Sequence, residues 1–286
     1  MISVLILTRN EAVNLPECLA SIQWCDDIIV FDSYSDDATC DIARSAGARV
    51  VQRKFDDYSR QREAARQVNY RHRWVLALDA DERPDDILRQ EMMTIASSAQ
   101  PGHDIYRVRR KDHFMGQWIK HVTLYPSWFL RFYRPDRIHY PPRLVHEYPT
   151  FDGEAGELAG HLMHYSFNKG LTEWFEKHVQ YAEMEARENL DSIRTGSSLD
   201  AACRALTFDP VQRRKALKQL SHHMPLRPTL RLAYMLILRR GLLDGRAGLQ
   251  YAMMMAAYER MIVSNMAWLR SQADLSDQTS DLANNH

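Results

Sequence analysis

An α/β fold with a mainly parallel central sheet and a helical C-terminal extension is predicted by three observations on this 286-residue sequence. Continuous apolar runs alternate with helical stripes through roughly the first third of the chain, the rhythm of repeated βα units. Several runs end abruptly in charged clusters, as strands do at the rim of an open sheet. Beyond Phe167 the apolar residues recur at helical spacing instead.

The elements follow in order. Ile2 to Leu7 is a buried strand, and Leu15, Leu19 and Ile22 mark the inner face of a helix. Ile28 to Phe31 is a second strand. Asp36 to Ala46 reads as a helix closed by Gly47, the residue type most often found just past a helix end. Arg49 to Gln52 is a short third strand, Ser59 to Tyr70 a helix, and Trp74 to Leu78 a fourth strand. Pro84 then fits the first turn of a helix that buries Leu88, Met92 and Ile95. Right-handed crossovers between such units produce parallel strands covered by helices. From about Asp104 the pattern shifts to shorter pieces, Tyr106 to Arg109 and Trp128 to Tyr133, between loops rich in aromatic residues and histidine. Trp174, Phe175, His178, Tyr181, Ala182 and Glu185 then share a helical spacing, and Gly196-Ser197-Ser198 is a linker. Met253 to Met255, Met261 and Met266 are expected to fill core gaps.

Composition excludes several classes. Lys plus Arg equals Asp plus Glu at 37 each, so net charge selects no partner. The four cysteines, Cys18, Cys25, Cys40 and Cys203, have neither zinc-site nor disulfide-scaffold spacing. No basic region precedes the first strand and no apolar stretch approaches the ~18 residues of a membrane span, so a cytoplasmic, non-spanning protein is expected.

The most informative stretch is Trp74-Val75-Leu76-Ala77-Leu78-Asp79-Ala80-Asp81-Glu82. If the strand continues one step, Asp79 and Asp81 point the same way, because strand side chains repeat every second residue. Their repulsion would be relieved by a divalent cation, and carboxylates plus substrate phosphates are the usual ligands of Mg²⁺ or Mn²⁺. Thr8-Arg9-Asn10-Glu11 and Asp32-Ser33-Tyr34-Ser35-Asp36-Asp37-Ala38-Thr39 close the first and second strands and fall on the same rim.

With Gln61-Arg62, these motifs resemble the inverting glycosyltransferases of family 2, which have the Rossmann-like GT-A fold. More narrowly, the chain to about Leu269 resembles the bacterial lipopolysaccharide core β-glucosyltransferase group. That likeness adds Phe114-Met115-Gly116-Gln117-Trp118-Ile119-Lys120-His121, Leu130-Arg131-Phe132-Tyr133-Arg134, Val145-His146-Glu147, His164-Tyr165-Ser166 and Leu243-Asp244-Gly245-Arg246-Ala247-Gly248. It implies a catalytic domain over 1–166, with 1–100 holding the nucleotide-sugar and 101–166 facing the acceptor. A helical basic region over 167–273 and a flexible tail over 274–286 would follow. Tyr34 stands where the family usually has Gly, and Glu63 where it commonly has Asn. The second change brings a negative charge toward a diphosphate site, against electrostatic expectation.

The resemblance implies roles residue by residue. Thr8, Asn10 and Glu11 line the nucleotide pocket, Asp32 accepts a hydrogen bond from base or ribose, and Arg62 reaches a phosphate. Asp79 meets nucleotide and metal, and Asp81 is the more direct metal ligand. Glu147 is the base for the acceptor hydroxyl, raised toward working pH by its apolar surroundings. Among His146, His161 and His164, a third metal ligand is sought at His164. Trp118, Tyr125 and Trp128 are candidates to stack on sugars. The cofactor is Mg²⁺ or Mn²⁺; the partners are a UDP-sugar, a lipid-linked oligosaccharide and the inner face of the cytoplasmic membrane, with no nucleic acid. Arg227, Arg231 and Arg239 fall within one arc of a helix opened by Pro228, which suits an anionic leaflet or the phosphates of a lipid-linked acceptor. Two other readings of the acidic motif stay open: a noncatalytic nucleotide-sugar or lipid-binding module, and a phosphotransferase with Asp79 as nucleophile.

Overall fold

The structure, a computed structural model, describes residues 1–141, 149–195 and 226–284. Two compact units divide at Lys169/Gly170. The first holds a nine-stranded sheet in the order β3-β2-β1-β4-β8-β6-β9-β5, with β7 paired to β6. Its strands are β1 (Ile2–Thr8), β2 (Ile28–Asp32), β3 (Arg49–Gln52), β4 (Trp74–Asp79), β5 (Glu82–Pro84), β6 (Ile105–Phe114), β7 (Gln117–Trp118), β8 (Ser127–Tyr133) and β9 (Gly156–His164). The helices are α1 (Leu15–Ser21), α2 (Thr39–Ser45), α3 (Tyr58–Arg66) and α4 (Asp86–Ser97).

Strands β3, β2, β1 and β4 are parallel, as the βα rhythm requires. β8 then runs antiparallel to both β4 and β6, which restores β6 to the direction of β4. The carboxyl ends of β1, β2, β4 and β6 therefore share one rim. Two apolar layers cover the sheet. Val4, Ile6, Leu76, Leu78 and Val108 pack with Leu15, Leu19, Leu88 and Met92 on one face. Leu5, Ile29, Phe31, Val75 and Ala77 pack with Ala65 and Tyr133 on the other. This opposite-face alternation is the two-residue period of a strand buried on both sides.

Three elements differ from expectation, each for a local reason. α2 begins at Thr39 rather than Asp36, because the Asp37 carboxylate accepts the Thr39 N–H at 2.9 Å and holds the preceding residues in a loop. α3 spans Tyr58–Arg66, capped by Asp57, which accepts the Arg60 N–H at 2.8 Å. Pro84 ends β5 instead of opening a helix; Asp85 caps α4 by accepting the Leu88 N–H at 2.8 Å. The short strand β5 pairs with β9 and was not evident in the sequence.

The second unit contains α5 (Leu171–Thr195), α6 (Arg227–Ala233) and α7 (Gly245–Asn284). Between α6 and α7 lie a π-helical turn, Tyr234–Leu238, and a 3₁₀ turn, Gly241–Asp244. Pro228 sits in the first turn of α6 as expected. Helix α7 runs on to Asn284, past Asp274 where the polar composition had suggested a loose tail; no Gly or Pro interrupts the sequence after Gly248. Met254 and Met266 are buried, whereas Met253 is half exposed. The Gly196-Ser197-Ser198 linker and Cys203 lie outside the described residues. Among the described residues, no helix is long and apolar enough to cross a membrane.

Candidate active site

The apolar run of β4 delivers Asp79 to the rim as its last residue, and the chain turns at once into β5. Asp79 is bound on both oxygens. Arg131, from the buried face of β8, donates to Oδ2 and Arg62, from α3, to Oδ1 at 3.3 Å. Burial opposes ionisation of Asp79, but the two guanidiniums hold its carboxyl well below the usual range. Arg131 also donates to Glu82 at 2.8 Å, and Glu82, wholly buried, accepts the Asp79 N–H at 3.1 Å. Burial pushes the Glu82 carboxyl upward, with Arg131 opposing.

Asp81 faces a different partner. His164 Nε2, at the end of β9, lies 3.3 Å from its Oδ2, while Nδ1 of the same ring lies 2.7 Å from Asp112 on β6. Arg110 Nε is 2.9 Å from Asp112. Burial disfavours the imidazolium, yet the two carboxylates raise His164 to about 9. Four carboxylates (Asp79, Asp81, Glu82, Asp112) thus stand among three guanidiniums (Arg62, Arg110, Arg131) and His164.

A divalent cation fits part of this cluster. Neighbouring donors on an octahedral ion with bonds of ~2.1 Å stand about 3 Å apart, close to the 3.3 Å between Asp81 and His164. Asp112, on the other ring nitrogen, would fix the imidazole's orientation, as partners behind metal-bound histidines commonly do. Asp79, clamped by two arginines, is the poorer donor, and the same clamp makes it a poor nucleophile. Among the described residues no group of three or more His, Cys, Asp or Glu is arranged around one ion position. An ion held by Asp81 and His164 would therefore need its other ligands from substrate and water.

The two preceding strand ends build a tightly bonded wall. Asp32 is fully buried and accepts from Thr8 Oγ1 (2.9 Å), Ser35 N–H (2.9 Å), Ser35 Oγ (2.5 Å) and Gln52 Nε2 (3.1 Å). A carboxylate offers about four lone-pair positions. In this conformation Asp32 therefore shapes the loop, and contact with a base or ribose would require one of these donors to leave. Thr8 is buried beside it. Asn10, at φ 55°, accepts the Asp36 N–H through Oδ1 at 3.0 Å, tying the first motif to the second. Glu11 accepts from Asn14 at 2.8 Å and from Lys169 at 2.6 Å; burial raises its carboxyl although both partners oppose. Gln61 reaches Ser33 at 2.9 Å, linking α3 to the same loop.

Both departures from the family pattern have a place. Tyr34 is exposed at φ 57°, a left-handed conformation that Gly enters without penalty, which explains the usual residue there. Glu63 turns toward Arg66, with Nε at 3.0 Å, and toward the Tyr140 N–H at 2.9 Å and His139 Nδ1 at 3.1 Å. Its charge is thus neutralised within a clasp between α3 and the 139–140 segment.

Glu147 and His146 lie outside the described residues. His161 meets Tyr125 at 2.9 Å and Asp85 at 3.4 Å, so of the described pair His164 is the histidine that stands beside Asp81. Trp118 stands edge-on to Tyr125, ring centroids 5.0 Å apart, with Lys111 5.0 Å from its ring; Trp128 lies 5.3 and 5.4 Å from Arg107 and Arg109. Arg131, Glu82 and Asp112 were given no role by sequence reasoning. For Arg131 a signal existed: an arginine inside the strand Leu130-Arg131-Phe132 must be paired if buried.

The family model described as Glycosyl transferase family 2 matches residues 3–151. A glycosyltransferase of Rickettsia bellii is 36% identical over 110 residues, covering 38% of this chain and 37% of its own. A lipopolysaccharide core biosynthesis glycosyltransferase of Rhizobium meliloti is 27% identical over 200 residues, covering 67% of this chain and 72% of its own. The solved mannosyltransferase of Pyrobaculum calidifontis, in complex with GDP-Man and Mn²⁺, superposes with a TM-score of 0.47 at 14% identity over 93% of this chain and 87% of its own. The chain spans 37% to 50% of the length of the rickettsial relatives it matches. With the family model covering more than half of the sequence and its βα half ending in the acidic rim described above, the chain belongs to glycosyl transferase family 2 and has an α/β fold.

Proposed function

We propose that the enzyme moves a sugar, glucose in our reading, from a UDP-sugar to the inner-core heptose region of lipopolysaccharide, with inversion and with help from Mg²⁺ or Mn²⁺. The observation that carries the reading is the pairing of Asp81 with His164 at 3.3 Å beside the arginine-clamped Asp79. Likeness to the Rhizobium meliloti core glycosyltransferase supports the acceptor class.

The chain's residues divide the work. Asp81 and His164 would hold the cation, which when bound would neutralise charge on the departing diphosphate. Arg131 and Arg62 keep Asp79 ionised and fixed toward the nucleotide. The loops of Thr8, Asn10, Glu11 and Asp32 form the wall that receives the nucleoside. Glu147 takes the proton of the acceptor hydroxyl as that oxygen attacks the anomeric carbon; the bond from that carbon to phosphate breaks, and UDP leaves from the opposite face. The lipid-linked acceptor places the reaction at the inner surface of the cytoplasmic membrane.

Incubation with UDP-glucose, Mn²⁺ and a heptose-terminated core acceptor should yield a β-linked product and one UDP per transfer, read by NMR and chromatography. Transfer from GDP- or CDP-sugars but not UDP-sugars would reject the donor, and an α-linked product would reject inversion.

A further inference from the structure

We propose that the tip of the α6–α7 hairpin, residues 237–246, is the surface by which the enzyme docks on an anionic lipid leaflet. This rests on the membrane-surface part of the proposed function and assigns it to particular residues.

At the tip, Ile237, Leu238, Leu242 and Leu243 are 69%, 74%, 61% and 69% exposed. Two pairs of large aliphatic side chains so open to solvent within one turn are apolar surface for which water is a poor partner. Arg240 and Arg246 are exposed among them. From Leu226 to Tyr258 the sequence carries five arginines and a single acid, Asp244, which is buried. The tip therefore offers only positive charge around its apolar centre.

The structure moves this surface away from the helix face that the sequence suggested. Arg227 pairs with the buried Glu259 at 2.5 Å and Arg231 approaches the same carboxylate at 3.5 Å, so both are committed to holding α6 against α7. The arginines left facing solvent at the apolar centre are those at the turn.

Charge decides the occupant. A two-fold contact between copies of this chain would bring the same arginines face to face around the apolar centre, with no exposed acid on the tip to separate them. An anionic leaflet supplies counter-charge at any orientation and an acyl boundary for the aliphatic side chains. The tip is a turn between two helices and too short to span, so it would seat at the headgroup boundary.

The test is co-sedimentation of the full chain with phosphatidylcholine vesicles, with and without phosphatidylglycerol. Binding should require phosphatidylglycerol and weaken with salt. Replacing Leu242 and Leu243 together by Asp should lower vesicle affinity by at least about tenfold, and replacing Arg240 and Arg246 together by Gln by about thirtyfold. The pair Leu242→Met and Leu243→Met should bind like the wild type, and circular dichroism melts should show every variant folded. Wild-type affinity in the folded Asp and Gln variants, or no binding by the wild type, would overturn the proposal. So would loss of a self-associated species in the Asp variant with vesicle binding intact. UDP titration on the same samples separates the readings: vesicle binding without UDP binding rejects the donor, and the converse rejects only the docking surface.

Discussion

At the residue scale, the informative fact is how many polar groups of the rim are already spoken for. Asp32 has four donors, Asp79 two arginines, and His164 a carboxylate on each ring nitrogen. Such saturation pre-sets the loops before any ligand arrives, which lowers the ordering cost of binding. Glu63 shows the same logic at a distance from the acids. Burial opposes its ionisation, but Arg66, the Tyr140 N–H and Gln67 hold its carboxyl at about 2, against an ordinary 4.5. Because the folded value is depressed, the stabilisation is complete above the ordinary value and is lost as pH falls through the folded one. Glu63→Gln should therefore cost roughly 2–3 kcal/mol at neutral pH. Its deficit relative to wild type should shrink between about pH 4.5 and 2 in urea melts followed by circular dichroism. A pH-independent deficit would contradict the clasp.

At the scale of elements, the parallel half of the sheet was readable because its strands are buried on both faces and read as apolar runs: Ile2 to Leu7, Ile28 to Phe31 and Trp74 to Leu78. Strand β9 was not readable. Its sequence, Gly156 to His164, alternates Leu158 and Leu162 with Glu157, Ala159 and His161, and two glycines weaken the strand pattern. One of those glycines is structural. A Cβ on Gly160 would stand 2.2 Å from the Leu88 backbone nitrogen and 2.4 Å from its Cα, so only glycine lets α4 lie this close to β9. Glu91 of α4 seals the contact by accepting the Ala159 and Gly160 N–H groups at 3.0 and 2.8 Å. Gly160→Ala should destabilise by about 2–3 kcal/mol, read as a fall in Tm, and because β9 carries His164 it should also weaken Mn²⁺-dependent UDP binding. An unchanged Tm would contradict the close approach. The site was half legible for the same reason: Asp79 and Asp81 adjoin a recognisable strand, whereas Asp112, Arg131 and His164 come from β6, β8 and β9, whose meeting depends on the antiparallel turn of β8.

At the scale of the whole molecule, a sequence with equal numbers of acidic and basic residues separates its charge by place. Carboxylates paired with arginines and His164 gather at the rim of the first unit, whereas Arg240 and Arg246 stand exposed at the α6–α7 tip of the second. Neither concentration is visible in net charge. In the proposed reading each suits a different phosphate chemistry: carboxylates would act through a cation on a diphosphate, and guanidiniums directly on lipid phosphates. Arg227 and Arg231, which look alike in sequence to Arg240 and Arg246, differ only because Glu259 is folded against them. In the first unit, Asp81 with His164 is proposed to hold the cation of a nucleotide-sugar. Calorimetric titration of UDP into wild type and Asp81→Asn, with and without Mn²⁺, tests it most directly. Mn²⁺ should tighten UDP binding to the wild type by at least about tenfold through added metal-phosphate bonds and leave Asp81→Asn unchanged; an equal Mn²⁺ effect in a folded Asp81→Asn would rule this ligand pair out.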